Sequence, residues 1–335
     1  MRAARGLRRG LIPALLLVAI LTACGGNAVA PGEPDHVRAV VLPYLALSAF
    51  HVAAEEGYFA ERDLDVEFVR LGRIQEMLTS LTRGEVDVAA GFLSVTTLNA
   101  IAGNAPVRAV GALGYFDPDA CAYNAFVARR ELVESGAIRD PERVRGLRAD
   151  LDVTIPIAYW FDVWLEPMGL TLDDLDVVNL PSPAGVEALR TGVIDITHEA
   201  EPYLSVLEES PEVDAWLPTK DLLPGYPYSV LLYGGRLLDE RPDVGERFAA
   251  AMLEALRQLR QGKTERNVEL LREFTGLSRD QVEAACWPVA PPGGRLDGET
   301  LRGFQEWALA RGLADRVLAN EEFIDPRFFE AASAR

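Results

Sequence analysis

One passage of this chain occurs twice, and that repetition restricts the fold more than any other feature. Asp63-Leu64-Asp65-Val66, then a helix-periodic stretch ending Leu81-Thr82-Arg83-Gly84-Glu85-Val86-Asp87, is matched by Asp174-Leu175-Asp176-Val177 and a stretch ending Leu189-Arg190-Thr191-Gly192-Val193-Ile194-Asp195. Each copy joins β-branched strand residues to an apolar helical face, with glycine just past the helix where a left-handed residue closes it. The alternation extends around the first copy. Residues 37–42 read as a strand stopped by Pro43, 48–56 as a helix ended by Gly57, 64–69 as a strand, 74–83 as a helix and 86–90 as a short buried strand. Strand–helix–strand order predicts an α/β fold with a mostly parallel sheet. Two copies are too few for a solenoid, and 335 residues exceed the usual growth of one core. Two α/β lobes facing a cleft are therefore expected, with ligand beyond the carboxyl ends of the strands. Those ends are placed at Leu42-Pro43-Tyr44 and Gly91-Phe92-Leu93-Ser94 in the first lobe, and at Thr154-Ile155-Pro156 and Thr197-His198-Glu199 in the second.

The start of the chain stands apart from this pattern. Arg2, Arg5, Arg8 and Arg9 precede an uncharged run from Leu11 to Ala23, and Leu21-Thr22-Ala23-Cys24 closes it. Such a run spans only ~20 Å as a helix, short of a ~30 Å hydrocarbon core, so residues 1–23 read as an export signal and not as a permanent span. The tetrapeptide resembles the bacterial lipoprotein cleavage box, which would make Cys24 the acylated first residue; an ordinary signal cut a little later is the alternative. Residues 24–35 are small residues and turn formers, a flexible tether. The expected product is exported, lipid-anchored on the extracytoplasmic side and monomeric. Its charge is acidic: the whole chain carries −18, and the signal removes four arginines and no acid. Nucleic acid is a poor partner for such a surface. Cys121 and Cys286 are expected as two buried thiols, with a disulfide as the other possibility.

Four segments carry a family resemblance: Ala53-Ala54-Glu55-Glu56-Gly57-Tyr58-Phe59-Ala60-Glu61-Arg62-Asp63-Leu64-Asp65-Val66, Leu81 to Asp87, Gly103-Asn104-Ala105-Pro106-Val107, and Gly169-Leu170-Thr171-Leu172-Asp173-Asp174. In order and spacing they resemble the substrate-binding lipoproteins of ABC importers, in the group that includes nitrate, sulfonate, taurine and thiamine-pyrimidine binders. The resemblance runs from about Val37 to Phe329. It implies a two-lobed type II periplasmic binding protein whose chain crosses twice between lobes, and a permease with its ATPase as partners. The first lobe is then placed at 36–139 and 223–335, the second at 140–222, with β-rich segments 123–127 and 229–233 as hinge. The thiamine-pyrimidine binders carry Asn and His after the first strand, where this chain has Tyr44 and Leu47, which argues against a pyrimidine.

Enzyme signatures fail. Gly262-Lys263-Thr264 ends like a phosphate-binding loop, but Arg257 stands where the earlier glycine belongs. Ser94 follows Gly91 by three residues, so there is no nucleophile elbow. His51 and Glu55 form a lone helical pair without further metal ligands. Glu199 and Glu201 are of a type suited to acid–base work, yet unpaired carboxylates in an acidic chain are usually solvated. No cofactor or metal is expected, and the chain reads as a binder; an exported enzyme on the same fold is the rival. Ligand contacts are expected from Tyr44, Phe92, Ser94, Thr96 and Tyr115 in the first lobe, and from Tyr159, Trp160 and Glu199 in the second. The aromatic residues would form a clamp and the hydroxyls a cap with free N–H groups. The cleft segments hold Asp117, Asp119, Glu199 and Glu201 but no Lys or Arg. A neutral or cationic ligand with an aromatic or heterocyclic part fits them; a sulfonate or other small anion held by helix N-termini is the alternative.

Overall fold

The computed structural model describes residues 33–42, 44–69 and 74–334. The expected signal, Cys24 and most of the tether lie outside them.

The first half of the chain lays down β1 (Asp35–Val40), α1 (Ser48–Glu55), β2 (Leu64–Val69), α2 (Ile74–Thr82), β3 (Val88–Gly91), α3 (Val95–Ala102) and β4 (Val107–Tyr115). It then builds β5 (Asn124–Arg129), β6 (Arg148–Asp150), α4 (Pro156–Leu165), β7 (Asp176–Val178), α5 (Ser182–Arg190), β8 (Ile196–Ala200), α6 (Tyr203–Glu208) and β9 (Val213–Pro218). After β10 (Pro227–Gly234) come α7 (Pro242–Leu259), α8 (Glu265–Thr275), α9 (Arg279–Ala284), α10 (Arg302–Ala310) and α11 (Arg327–Ser333). Two five-stranded sheets result, ordered β2-β1-β3-β10-β4 and β7-β6-β8-β5-β9. This is the two-lobed α/β architecture that the repeat implies.

Each sheet contains one reversed strand. β10 runs antiparallel to β3 and β4, and β5 runs antiparallel to β8 and β9. The reason is geometric: chain arriving from the other lobe enters at the carboxyl edge of the sheet and has to run outward from it. The crossings are residues 116–123 and 219–226. Residues 124–129 therefore pair in the second sheet, although the expected boundary put everything up to 139 in the first lobe. Most of the expected hinge segments, 123–127 and 229–233, lie inside β5 and β10.

The repeated motif performs the same task in both lobes. Asp87 accepts the Arg38 N–H of β1 at 2.8 Å and returns its own N–H to the Arg38 carbonyl; Asp195 accepts the Arg148 N–H of β6 at 2.9 Å and does likewise. Each aspartate thus fixes the register of the loop before the third strand against the first. Gly84 and Gly192 sit at φ +70° and +73°, the left-handed turn the motif requires.

Cys121 and Cys286 form a disulfide, with Cα atoms 5.8 Å apart. They are not two buried thiols as expected from sequence: Cys121 is exposed in the first crossing, and Cys286 is buried in the segment after α9. That segment runs along the end of β4, where the Tyr115 N–H donates to the Val289 carbonyl at 3.0 Å, and so meets the crossing. Lys220, in the return crossing, donates to the carbonyls of Pro118 (2.8 Å) and Ala120 (2.7 Å) in the outward one.

Candidate functional site

The carboxyl ends of the two sheets face each other, and side chains and backbone from both lobes meet there. The Val95 N–H at the start of α3 donates to the Thr154 carbonyl of the second lobe at 3.0 Å. Helix α10 of the first lobe reaches α4 of the second. Trp307 Nε1 donates to Asp162 Oδ2 at 2.6 Å, Arg311 donates to the same oxygen at 3.2 Å, and the Leu172 N–H takes Oδ1 at 2.6 Å. Losing one carboxylate here leaves an indole and a backbone N–H unpaired, at ~1–3 kcal/mol each. Asp162→Ala is expected to cost about 3 kcal/mol in urea denaturation; a loss under ~1 kcal/mol would show that these bonds contribute nothing net.

One wall of the junction is acidic. Glu199 is the next-to-last residue of β8 at 5 % exposure and Asp150 ends β6 at 6 %. They lie together against α5, which approaches so closely that a Cβ at Gly185 would sit 2.3 Å from Asp150 Oδ2 and 3.8 Å from Glu199 Oε1. From the first lobe Tyr44 comes up to this pair, edge-on to Tyr203 at 6.2 Å, and the Ser182 hydroxyl interacts with both Tyr44 and Glu199. Burial, and then the neighbouring Asp150, push the Glu199 carboxyl up to about 8. Burial also raises Asp150, against the Leu180 N–H that donates to it at 2.8 Å. Among the described residues no Lys or Arg pairs with either carboxyl.

The other wall is aromatic. Trp160 on α4 is fully buried, with ring centroids of Phe92 at 5.9 Å, Phe116 at 5.1 Å, Tyr226 at 5.5 Å and His198 at 5.0 Å. Burial holds His198 down at about 3, so its ring is neutral; Nε2 bonds the Thr219 hydroxyl at 2.8 Å. The Trp160 indole interacts with the Tyr226 hydroxyl, and His198 Nδ1 is buried without a side-chain hydrogen-bond partner among the described residues. Leaving a buried ring nitrogen unsatisfied is costly.

The expected contact residues divide accordingly. Tyr44 and Glu199 meet at the acidic wall, Phe92 and Trp160 at the aromatic one. Trp160 is enclosed by protein rings and presents no open stacking face. Ser94 caps its own helix, accepting the Thr97 N–H at 3.1 Å, and Thr96 is exposed. Tyr115 donates to Asp117 at 3.0 Å near the first crossing. Tyr159 turns toward α10, against Phe304 and Trp307. Glu201 is structural: it accepts from the Ser205 hydroxyl and N–H and from the Cys286 N–H at 3.0 Å. Asp150, Ser182 and Tyr203 were not expected. The strand ending at Asp150 is only three residues long, and the strand end expected at 154–156 is the entry to α4. Among the described residues no group of three or more His, Cys, Asp or Glu could hold a metal, and no helix is long and apolar enough to cross a membrane.

Residues 30–271 match the NMT1-like family model. The chain belongs to the NMT1-like family. No curated protein sequence is significantly similar to it. Among solved structures, this NMT1-like protein resembles the zinc-bound ligand-binding component of an ABC-type import system from Staphylococcus aureus, with TM-score 0.72 and 13% identity over 90% of this chain and 100% of that one. It also resembles the alkanesulfonate-binding protein SsuA from Xanthomonas axonopodis pv. citri bound to MOPS, with TM-score 0.66 and 17% identity over 88% and 99%. A third similar structure is the desulfurization enzyme DSZB, with TM-score 0.61 and 15% identity over 89% and 98%. At these identities the likeness is one of fold, and the fold is that of the type II periplasmic binding proteins.

Proposed function

We propose that this NMT1-like protein is the extracytoplasmic solute-binding component of an ABC importer, anchored through lipid on Cys24. Its solute carries a protonated or hydrogen-bond-donating nitrogen beside an aromatic or heterocyclic part. The observation that carries this reading is Glu199: a nearly buried carboxyl at the lobe junction, beside a second carboxyl, with no basic partner among the described residues. A ligand ammonium placed there would draw the proton off Glu199 and supply the missing charge, while the half-buried rings of Tyr44, Tyr203 and Phe92 would take the ring and offer cation–π contact. An anion finds less. The first N–H of α3 already serves the Thr154 carbonyl, and among the described residues neither wall has a Lys or Arg side chain. Because Tyr44 and Phe92 belong to one lobe and Glu199 and Tyr203 to the other, a solute touching all four favours the closed arrangement that a permease would recognise.

The desulfurization enzyme on the same fold keeps a catalytic reading in view, since fold does not fix function. The binding reading is favoured because both described cysteines are joined to each other and Glu201 is committed to structural bonds. The test is thermal denaturation of the purified protein with primary amines, protonated N-heterocycles, sulfonates and nitrate at equal concentration. Cationic compounds should stabilise it, by about 2.7 kcal/mol at a hundred times Kd, and Glu199→Gln should abolish the response. Stabilisation by sulfonates that survives Glu199→Gln would overturn the ligand class, and turnover of a bound compound would overturn the receptor.

A further inference from the structure

The first lobe contains a cavity of about 200 Å³ to which the second sheet contributes no lining residue. Its walls are apolar: Ala49 at the start of α1, Leu113 on β4, Leu256 and Leu259 at the end of α7, and Trp287 beside the disulfide. Two kinds of polar group interrupt them. Ser48 is 1 % exposed, and its hydroxyl is buried with no hydrogen-bond partner. Arg260 and Lys263, both exposed, stand where the cavity meets solvent. Arg260 donates one N–H to the Ala290 carbonyl at 2.7 Å, and Lys263 donates to the Glu283 carbonyl. Neither pairs with a carboxylate among the described residues, in a chain whose 51 acidic residues outnumber its 33 basic ones.

We propose that this cavity is a second binding site, for a small apolar monocarboxylate. An apolar cavity of ~150 Å³ suffices for benzene, so this one has room for a ring or a branched chain and its carboxylate. The apolar body lies against Leu113, Leu256 and Trp287. The carboxylate faces Arg260 and Lys263, whose remaining N–H groups make charge-assisted bonds to it, and the Ser48 hydroxyl gains the partner it lacks. The charge preference is opposite to that of the cleft, so the two sites are separable by experiment.

The probe is benzoate, titrated calorimetrically into the purified protein, with benzamide as its neutral isostere. Benzoate is expected to bind at least tenfold more tightly than benzamide. The double variant Arg260→Ala/Lys263→Ala, changed only at exposed side chains, should lose at least tenfold in benzoate affinity, whereas Glu199→Gln should leave it unchanged. Equal binding of benzoate and benzamide, no binding of benzoate at millimolar concentration, or undiminished binding by the double variant would each overturn the site. Loss of benzoate binding in Glu199→Gln would place the probe in the cleft and overturn it as well.

Discussion

Replacing Cys121 and Cys286 by serine is expected to lower the stability of the folded protein by about 5 kcal/mol. The bridge spans a sequence separation of 165, so in the unfolded chain it closes a long loop and removes a correspondingly large conformational entropy. For a protein of this size that loss corresponds to roughly 10 °C in melting temperature. Neighbouring bonds should preserve the local path of the chain: the Cys286 N–H is held by Glu201, and the Tyr115–Val289 pair aligns the segment with β4. The variant should therefore fold and unfold cooperatively at lower urea, and wild type treated with reductant should behave like it. A midpoint within error of the oxidised wild type would show that the link adds nothing.

Glu199 should make stability fall as pH rises. Its carboxyl titrates at about 8 in the fold against an ordinary value of 4.5. Between these values the native protein keeps a proton that the unfolded chain has released, so each pH unit lowers unfolding free energy by about 1.4 kcal/mol. The contribution is complete below the unfolded value and gone by about pH 8, a total of roughly 5 kcal/mol. His198 acts oppositely at lower pH. Held at about 3 in the fold, it lets the unfolded chain bind the extra proton up to 6.5, and stability rises with pH there. The difference between wild type and Glu199→Gln cancels His198 and isolates the carboxyl. Urea denaturation of both at pH 5, 6.5 and 8 should show the variant gaining steadily on wild type. Parallel curves would mean that Glu199 is ionised throughout. A cationic solute should bind more tightly as pH approaches 8, since it needs the ionised carboxylate.

What could be read from sequence was whatever is local. β2 lies at residues 64–69 as expected, and α1 and α2 differ from expectation by one residue at their ends, because period and capping glycines act within a few residues of one another. Glu199 was visible as an acid at a strand end. Contacts made across long separations were not. Cys121 and Cys286 meet only because a late segment returns to β4. Asp150 joins Glu199 through a strand too short to show alternation. Trp160, expected beside the ligand, is packed by Phe92, Phe116 and Tyr226, residues far from it in the chain. The reversal of β5 and β10 is likewise invisible locally: their composition is that of any buried strand, and direction is set by where the chain comes from.

The bracing of the two crossings limits how the lobes can part. Lys220 ties the return strip to the outward one, and the disulfide fastens the outward strip to the first lobe. With the pair braced in this way, the lobe closure proposed above is expected to be a swing of the second lobe about a line, not a wobble about a point. A swing has one coordinate to search. Under that reading, a solute arriving on either wall would need only angular diffusion along that coordinate to reach the other, and little orientational freedom would remain to be surrendered.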